Sequence, residues 1–199
     1  MPWVRRLTPA DTAALRSHFL RLDAETRCQR FLGQQSDTAI DAYVDGLPWL
    51  GVLRLGWIES GVLRGVVELL PERLPVDGRW PPGLELALTV ERAWQGRGLG
   101  TELVHRALLS ARNRQYKTVE MICLADNVRM QRIARRLDAQ VLRQDGHSVG
   151  RLRLAPGNPL SLWQEALSQG ASLVNAAADQ GLPPQYPPAA DGDSAKSKH

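Results

Sequence analysis

The chain has 199 residues, of which 43% are hydrophobic, and this size fits one well-buried domain with a tail rather than two full domains. Its net charge is +4, and its only arginine cluster, at 129, 132, 135 and 136, is interpreted as the solvated face of a helix, so we expect no nucleic-acid partner. No leader and no run of roughly 18 apolar residues is found, so we expect a cytoplasmic protein without a membrane partner. The two cysteines and four isolated histidines predict neither a disulfide framework nor a metal site.

The first half of the chain predicts short strands and helices. The elements are a strand at 4–7, a helix from 9 to 22, a helix at 37–44, and strands at 50–58 and 62–70. Thr8 and Pro9 suit the N-cap and the first position of the first helix, and Ser60 and Gly61 suit a hairpin turn. Glu68 is interpreted as a solvated strand glutamate. The proline-rich stretch at 71–83 is predicted to be a loop.

The next segment predicts a strand, a helix and a second strand, which form a right-handed crossover between two parallel strands. The strand at 84–90 has leucine or valine at every second position, so Glu85 and Ala87 lie on the other face. The helix at 99–112 carries an apolar stripe. The strand at 118–124 is apolar enough for the interior of a sheet, and its cysteine is interpreted as a core residue rather than a nucleophile.

One helix and two strands complete a domain that we place at 1–156. Asp126 and Asn127 are predicted to cap a helix that ends near Leu137. The remaining predicted segments are strands at 139–144 and 148–154, an amphipathic helical extension at 157–179 and a disordered tail at 180–199. The apolar residues of the extension pack either on their own domain or on a second copy of the chain, so a homodimer stays open.

Three alternating glycines follow the strand at 84–90 and open the next helix. In the segment Gln95-Gly96-Arg97-Gly98-Leu99-Gly100-Thr101 the backbone can approach an anion, and the first N–H groups of the helix lack intrahelical partners. This arrangement predicts a bound pyrophosphate, and a turn without a ligand is the alternative. A Walker A loop is disfavoured because no lysine follows the last glycine, and a Rossmann loop because threonine stands where glycine or alanine is needed.

The spacing Gln95-x-x-Gly98-x-Gly100 resembles the Gln/Arg-x-x-Gly-x-Gly/Ala signature of the GNAT superfamily of N-acetyltransferases. The strand at 118–124 and Asn127 resemble the family segment that follows. The resemblance implies an α/β (α+β) GNAT fold, in which a mixed, mostly antiparallel central sheet contains a splayed parallel strand pair and has helices on both faces. It also implies acetyl-CoA as cosubstrate and an amine as acceptor.

The resemblance further assigns a role to each part of the segment. Backbone groups of Leu88 and Val90 are expected to bind the pantetheine arm where the parallel strands splay apart, and Asn127 is expected to contact the arm from the far side. The residues whose N–H groups are expected to hold the pyrophosphate are Gln95, Gly96, Arg97, Gly98, Leu99, Gly100 and Thr101.

Glu85 is the candidate general base. The strand Leu84 to Val90 resembles the matching strand of Pat-type protein lysine acetyltransferases, in which the corresponding glutamate is the base, and Ala87 leaves room for a substrate. A lysine-like amine with a pKa of about 10.4 costs about 4.6 kcal/mol to deprotonate at pH 7, and a positioned carboxylate helps to remove the proton. A structural ion pair or an edge glutamate is the alternative interpretation.

Two positions depart from the wider superfamily. Ala134 stands where many members carry a tyrosine as general acid, although the Pat-type subgroup typically lacks it, and Asp138 replaces a glycine that usually ends the helix. The sequence therefore supports two functions. One is an N-acetyltransferase that acts on a protein lysine or a small primary amine. The other is a non-catalytic module that binds acetyl-CoA as a sensor.

Overall fold

The computed structural model describes residues 3–71, 83–167 and 170. The strands are β1 (Trp3–Arg6), β2 (Leu53–Glu59), β3 (Val62–Pro71), β4 (Gly83–Val90), β5 (Thr118–Leu124), β6 (Gln140–Gln144) and β7 (His147–Arg153). The helices are α1 (Thr12–Leu20), α2 (Ala24–Phe31), α3 (Asp37–Asp45), α4 (Leu99–Asn113) and α5 (Val128–Arg136). One sheet has the order β1-β2-β3-β4-β5-β7-β6, and β4 and β5 are its parallel pair.

Helices cover both faces of this sheet. Leu15 and Phe19 of α1 pack with Val66 of β3 in one buried cluster. On the other face, Leu103 of α4 and Met130 of α5 belong to a second cluster that includes the apolar side chains of the central strands. The predicted mixed sheet with one parallel pair and helices on both faces is therefore confirmed.

The parallel pairing is short. Gly83, Leu84 and Glu85 lie opposite Thr118, Val119 and Glu120, and no further pair joins the described residues of these two strands. The two strands continue beyond this point, to Val90 and to Leu124. A gap therefore opens in the middle of the sheet, at the carboxyl ends of β4 and β5.

Several predicted boundaries differ from the structure. The strand predicted at 50–58 begins at Leu53, and the first helix begins with a 3-10 turn at Pro9–Asp11. Helix α2 is absent from the sequence-based prediction: only three of its eight residues are apolar, and none is fully buried. A local signal does exist: Asp23 is its N-cap, and its Oδ1 accepts a hydrogen bond of 3.0 Å from the Thr26 N–H.

Parts of the prediction fall outside the described residues: the loop from 72 onward to 82 and the tail at 180–199. Of the extension predicted at 157–179, residues 159–167 form a helix. The Glu165 carboxylate attaches this helix to α4 by accepting hydrogen bonds from Ser110 Oγ at 2.6 Å and from Asn113 Nδ2 at 2.7 Å. No helix within the described ranges is long and apolar enough to cross a membrane.

Glu68 is not solvated, so that prediction is wrong. Its side chain is 1% exposed, and its Oε1 accepts a hydrogen bond of 2.6 Å from Arg54 Nε. Arg30 of α2 and the hydroxyl of Tyr43 on α3 both donate to its Oε2. Burial by itself raises the pKa of Glu68, but the two guanidinium groups outweigh burial and hold the pKa below its usual range. The partners come from distant segments, so the strand sequence alone does not reveal them.

We expect Glu68→Gln to lower the free energy of unfolding by about 3 to 5 kcal/mol, because the buried guanidiniums of Arg30 and Arg54 lose their counter-charge. Urea unfolding followed by circular dichroism measures this change. Glu102→Gln is a matched control that removes the partner of Arg106 in an exposed pair on α4, and we expect a loss of at most about 0.5 kcal/mol. An unfolding free energy of Glu68→Gln equal to that of the parent would contradict the role given to the buried carboxylate.

Candidate functional site

A cleft of about 330 Å³ lies where β4 and β5 diverge. Its walls are α2, the end of β4, the glycine-rich turn with the start of α4, and α5. The predicted cofactor-binding residues that line it are Leu88, Val90, Gln95, Gly96, Gly98, Gly100, Thr101 and Asn127. The other two are not part of the lining: Leu99 is buried in the core, and the guanidinium of Arg97 lies 5.0 Å from the ring centre of Trp94, a residue of the cleft wall.

The end of β4 presents main-chain groups to this cleft. The Glu91 N–H donates to the Arg64 carbonyl oxygen of β3 at 2.9 Å. Alternate residues of a strand direct their main-chain groups to the same side, so Leu88 and Val90 direct theirs away from β3. On that side the Val90 carbonyl oxygen accepts a hydrogen bond of 2.8 Å from Gln95 Nε2. The main-chain groups of Leu88 therefore face the gap that β5 leaves.

The glycine-rich turn presents a second set of main-chain donors. Gly96 and Gly98 have φ angles of +75° and +86°, in the left-handed region where residues with a Cβ are strained. The first main-chain hydrogen bond of α4 runs from the Glu102 N–H to the Gly98 carbonyl oxygen at 3.0 Å. The N–H groups of residues 99–101 therefore precede the helical hydrogen-bond ladder and have no intrahelical acceptor.

Gly100 allows α4 to begin close to β4 and α5. A Cβ at this position would lie 3.3 Å from Leu88 Cδ2 and 3.7 Å from Ile133 Cδ1. A larger side chain would have to displace these neighbours. The main-chain N–H groups of the turn are therefore held beside the end of β4 that has no neighbouring strand on the β5 side.

Gln95 has a structural part in this turn. Besides its bond to β4, its Nε2 lies 3.2 Å from Thr26 Oγ1, so one amide joins the turn to both β4 and α2. Asn127 has a similar part at the other wall. It is the N-cap of α5, as predicted, and its Oδ1 accepts a hydrogen bond of 3.0 Å from the Met130 N–H, while its side chain lines the cleft.

The sequence-based prediction misses the wall that α2 supplies. Thr26, Gln29 and Arg30 line the cleft from this helix. Gln29 Nε2 also donates to Asp126 Oδ1 at 2.9 Å, so α2 is joined to the end of β5. The N-cap at Asp23 is the signal from which this wall could have been found.

Glu85 lies next to this cleft but is not part of its lining. A small pocket of about 40 Å³ continues from it and is lined by Glu85 and Ala87. The two cavities share the side chains of Gln29, Arg30, Leu88, Asn127 and Met130. Among the described residues, the carboxylate of Glu85 has neither a hydrogen-bond partner nor an ion-pair partner. The neighbouring Glu120 differs, because its Oε1 accepts a hydrogen bond of 2.6 Å from Arg151 Nε.

The two positions at which the sequence departs from the wider superfamily, 134 and 138, have structural explanations. Ala134 is 3% exposed, and a Cβ added at Gly150 of β7 would lie 3.2 Å from its Cβ. Position 134 therefore packs against the sheet and does not line the cleft. Asp138 has a φ angle of +55°, so it adopts the left-handed conformation that glycine usually supplies at the end of a helix.

A buried polar network supports the end of β4. His18 of α1 is fully buried, and its Nε2 lies 2.8 Å from Thr89 Oγ1 while its Nδ1 lies 3.4 Å from Glu91 Oε1. Arg21 and Arg64 also donate to the Glu91 carboxylate, each at 2.9 Å. Burial lowers the pKa of His18 below its ordinary value, so the imidazole is neutral at pH 7.

The Glu91 carboxylate of this network stays ionised. Burial alone raises its pKa, but the hydrogen bonds from His18 and Arg64, together with the charge of Arg21, outweigh burial and leave the pKa below its usual range. The network therefore consists of a neutral imidazole and a paired carboxylate. In the described part of the chain, no group of three or more histidine, cysteine or acidic side chains is arranged to hold a metal ion.

Comparison with known proteins places these features in one family. The family model described as an acetyltransferase (GNAT) domain matches residues 3–140. A search of curated protein sequences found no significant match to the chain.

Solved structures share the fold at low sequence identity. The GNAT domain of S. lividans PAT is 21% identical, with a TM-score of 0.63 over 76% of this chain and 89% of that one. A putative acetyltransferase from Salmonella typhimurium with its cofactor acetyl-CoA is also 21% identical, with a TM-score of 0.59 over 79% and 96%. A ribosomal-protein-alanine N-acetyltransferase from Brucella melitensis is 19% identical, with a TM-score of 0.58 over 75% and 97%.

The buried imidazole of His18 predicts how the free energy of unfolding changes with pH. The folded protein holds the pKa of His18 below the ordinary value of 6.5, so the unfolded chain binds a proton more readily than the folded one below that pH. We therefore expect the free energy of unfolding to fall as the pH is lowered from about 7.5 to about 5.5. Urea unfolding at several pH values measures this slope.

His18→Gln removes the buried proton acceptor, so we expect a flatter pH dependence over the same interval. His105→Gln, on the exposed side of α4, is the control and should keep the slope of the parent. If the unfolding free energies of the parent and of His18→Gln changed with pH by the same slope, the pH dependence would not come from His18.

Proposed function

Because the chain belongs to the GNAT family of acetyltransferases, we propose that it transfers the acetyl group of acetyl-CoA to a primary amine with Glu85 as the general base. The observation that carries the proposal is the gap between β4 and β5, which joins a cleft with main-chain donors to a small pocket containing a carboxylate without a partner. Acetyl-CoA is the acetyl donor of this family.

The walls of the cleft match the chemistry of the donor. A pantetheine arm carries amides that can exchange hydrogen bonds with the main chain of Leu88 and the N–H of Val90, as a neighbouring strand would. Asn127, on the opposite wall, contacts the same arm. The turn at residues 95–101 binds the pyrophosphate, because its N–H groups have no intrahelical acceptor and the start of α4 favours negative charge.

This placement brings the thioester to the inner pocket beside Glu85. The amine nitrogen attacks the thioester carbonyl carbon, the new carbon–nitrogen bond forms and the carbon–sulfur bond breaks. Glu85 accepts the proton that the amine loses, directly or through one water molecule, and the departing sulfur takes up a proton to leave as the free thiol of CoA. Proton acceptance by a positioned group contributes a factor of about 100 to 10,000 in rate.

A protein lysine is the acceptor that we propose. The strand Leu84 to Val90 resembles that of the Pat-type enzymes, and position 134 lacks the tyrosine that this subgroup also lacks. Glu85 further borders a shallow depression on the sheet that is lined by Thr118, Ile122 and Arg153, among others, so an amine on a larger molecule has room to approach. Small primary amines are the competing acceptors.

Glu85→Gln is expected to lower kcat by about 100-fold or more while the Kd for acetyl-CoA stays unchanged, because only proton acceptance is lost. Release of free thiol in the presence of lysine-containing peptides and a panel of small amines measures turnover, and calorimetry measures Kd. Glu120→Gln is the matched control, since this carboxylate lies opposite Glu85 on β5 but is paired with Arg151. We expect it to keep most of the activity.

Two results would oppose the proposed reaction. Equal turnover by Glu85→Gln and the parent would remove Glu85 from the mechanism. Binding of acetyl-CoA by the parent without thiol release for any amine or peptide would instead favour an acetyl-CoA sensor.

The pyrophosphate role of the turn predicts a difference between two glycine substitutions. Gly98→Ala and Gly61→Ala both place a side chain at a positive φ angle, +86° and +73°, so each should cost about 1 to 2 kcal/mol of stability. Only Gly98 borders the cleft, and we therefore expect only Gly98→Ala to weaken the binding of CoA. Calorimetry and urea unfolding measure the two effects, and equal CoA affinities for both variants would oppose the assignment.

A further inference from the structure

Three arginines on α5 form one stripe along the cleft. Arg129, Arg132 and Arg136 all line it, and their spacing of three and then four residues places them on the same side of the helix. Arg135 belongs to the same helix but is not part of the lining. The sequence alone suggested a solvated face for all four.

Of the three arginines that line the cleft, two have no described side-chain partner. Arg129 lies 3.9 Å from Glu25, and Arg135 lies 3.5 Å from Gln131 Oε1. Within the described ranges, the guanidinium groups of Arg132 and Arg136 have no hydrogen-bond or ion-pair partner.

The other charged residues of the cleft are already paired. Arg30 is bound to Glu68, and Glu25 is bound to Arg92 at 2.8 Å. The wall at Arg132 and Arg136 therefore carries two positive charges that the fold itself does not neutralise.

The position of this excess charge relative to the glycine-rich turn is fixed by packing. A Cβ at Gly100 would lie 3.7 Å from Ile133 Cδ1, so the turn at the start of α4 lies against the middle of α5. With a rise of about 1.5 Å per residue, Arg132 and Arg136 lie about 8 Å and about 14 Å beyond Asn127 along the helix. An anion a few bonds away from a pyrophosphate at the turn would therefore lie beside them.

We propose that Arg132 and Arg136 bind the 3′-phosphate of coenzyme A and make the protein select CoA over its dephospho form, an inference that rests on the proposed function. The ribose phosphate is a dianion separated from the pyrophosphate by the ribose, and guanidinium groups bind phosphate through charge-assisted hydrogen bonds. Helix α5 thus recognises the 3′-phosphate, a group that takes no part in the acetyl transfer.

Calorimetric titration with CoA and with dephospho-CoA tests this proposal, because the two ligands differ only in the 3′-phosphate. We expect the parent to bind CoA about tenfold more tightly than dephospho-CoA. Arg132→Ala and Arg136→Ala should each weaken CoA binding by about three- to tenfold and leave dephospho-CoA binding nearly unchanged, so the preference shrinks. Arg135→Ala, which removes the same charge from the same helix turn, should keep the parent's preference.

The outcomes separate this inference from the proposed function. A parent that binds both ligands equally would overturn the inference and leave the proposed function standing. The inference would also fail if Arg132→Ala and Arg136→Ala weakened both ligands by the same factor, because the arginines would then act on the pyrophosphate or through their general charge. A parent that binds neither ligand would refute the proposed function and this inference together.

Discussion

The separation of β4 from β5 after Glu85 is the constraint on which the rest of the site depends. A main-chain polar group left buried without a partner costs about 1 to 3 kcal/mol, so a gap in the centre of a sheet has to be compensated. The protein compensates part of it internally, since the Gln95 amide donates a hydrogen bond to the Val90 carbonyl oxygen. The main-chain groups of Leu88 remain directed at the cleft. A ligand that carries amides of its own complements this edge.

The charges near the gap divide into two kinds. The buried carboxylates are held by arginines from distant segments: Glu68 by Arg30 and Arg54, and Glu91 by Arg21 and Arg64. These pairs position α1, α2 and the central strands relative to one another. Of the described charged side chains that line the cleft and the small pocket, Glu85, Arg132 and Arg136 have no described side-chain partner. Paired charges thus hold the framework together, and the charges without described partners face the cleft and the small pocket.

Sequence signals predicted the cofactor side of the site better than the opposite wall, for a physical reason. The glycine-rich turn and the cap at Asn127 depend on residues within a few positions, so their backbone requirements appear directly in the sequence. Strand β5 is an apolar run with one glutamate, and its predicted bounds, 118–124, are those of the structure. Glu68 depends on partners 14 and 38 positions away, so no local pattern reveals its burial. Helix α2 has no fully buried residue, and its one local signal is the N-cap at Asp23.

The same geometry favours a direct attack of the amine over transfer through an enzyme thiol. Cys123 lines the inner pocket together with Glu85, but it is 4% exposed and belongs to the core cluster under α4 and α5. Burial also raises its pKa, so it remains a thiol rather than the thiolate that would be needed to accept an acetyl group. Glu85, by contrast, borders both the inner pocket and the shallow depression on the sheet. In the proposed reaction, a thioester at the gap therefore meets the carboxylate of Glu85 and the incoming amine at the same place, so no covalent intermediate on the enzyme is needed.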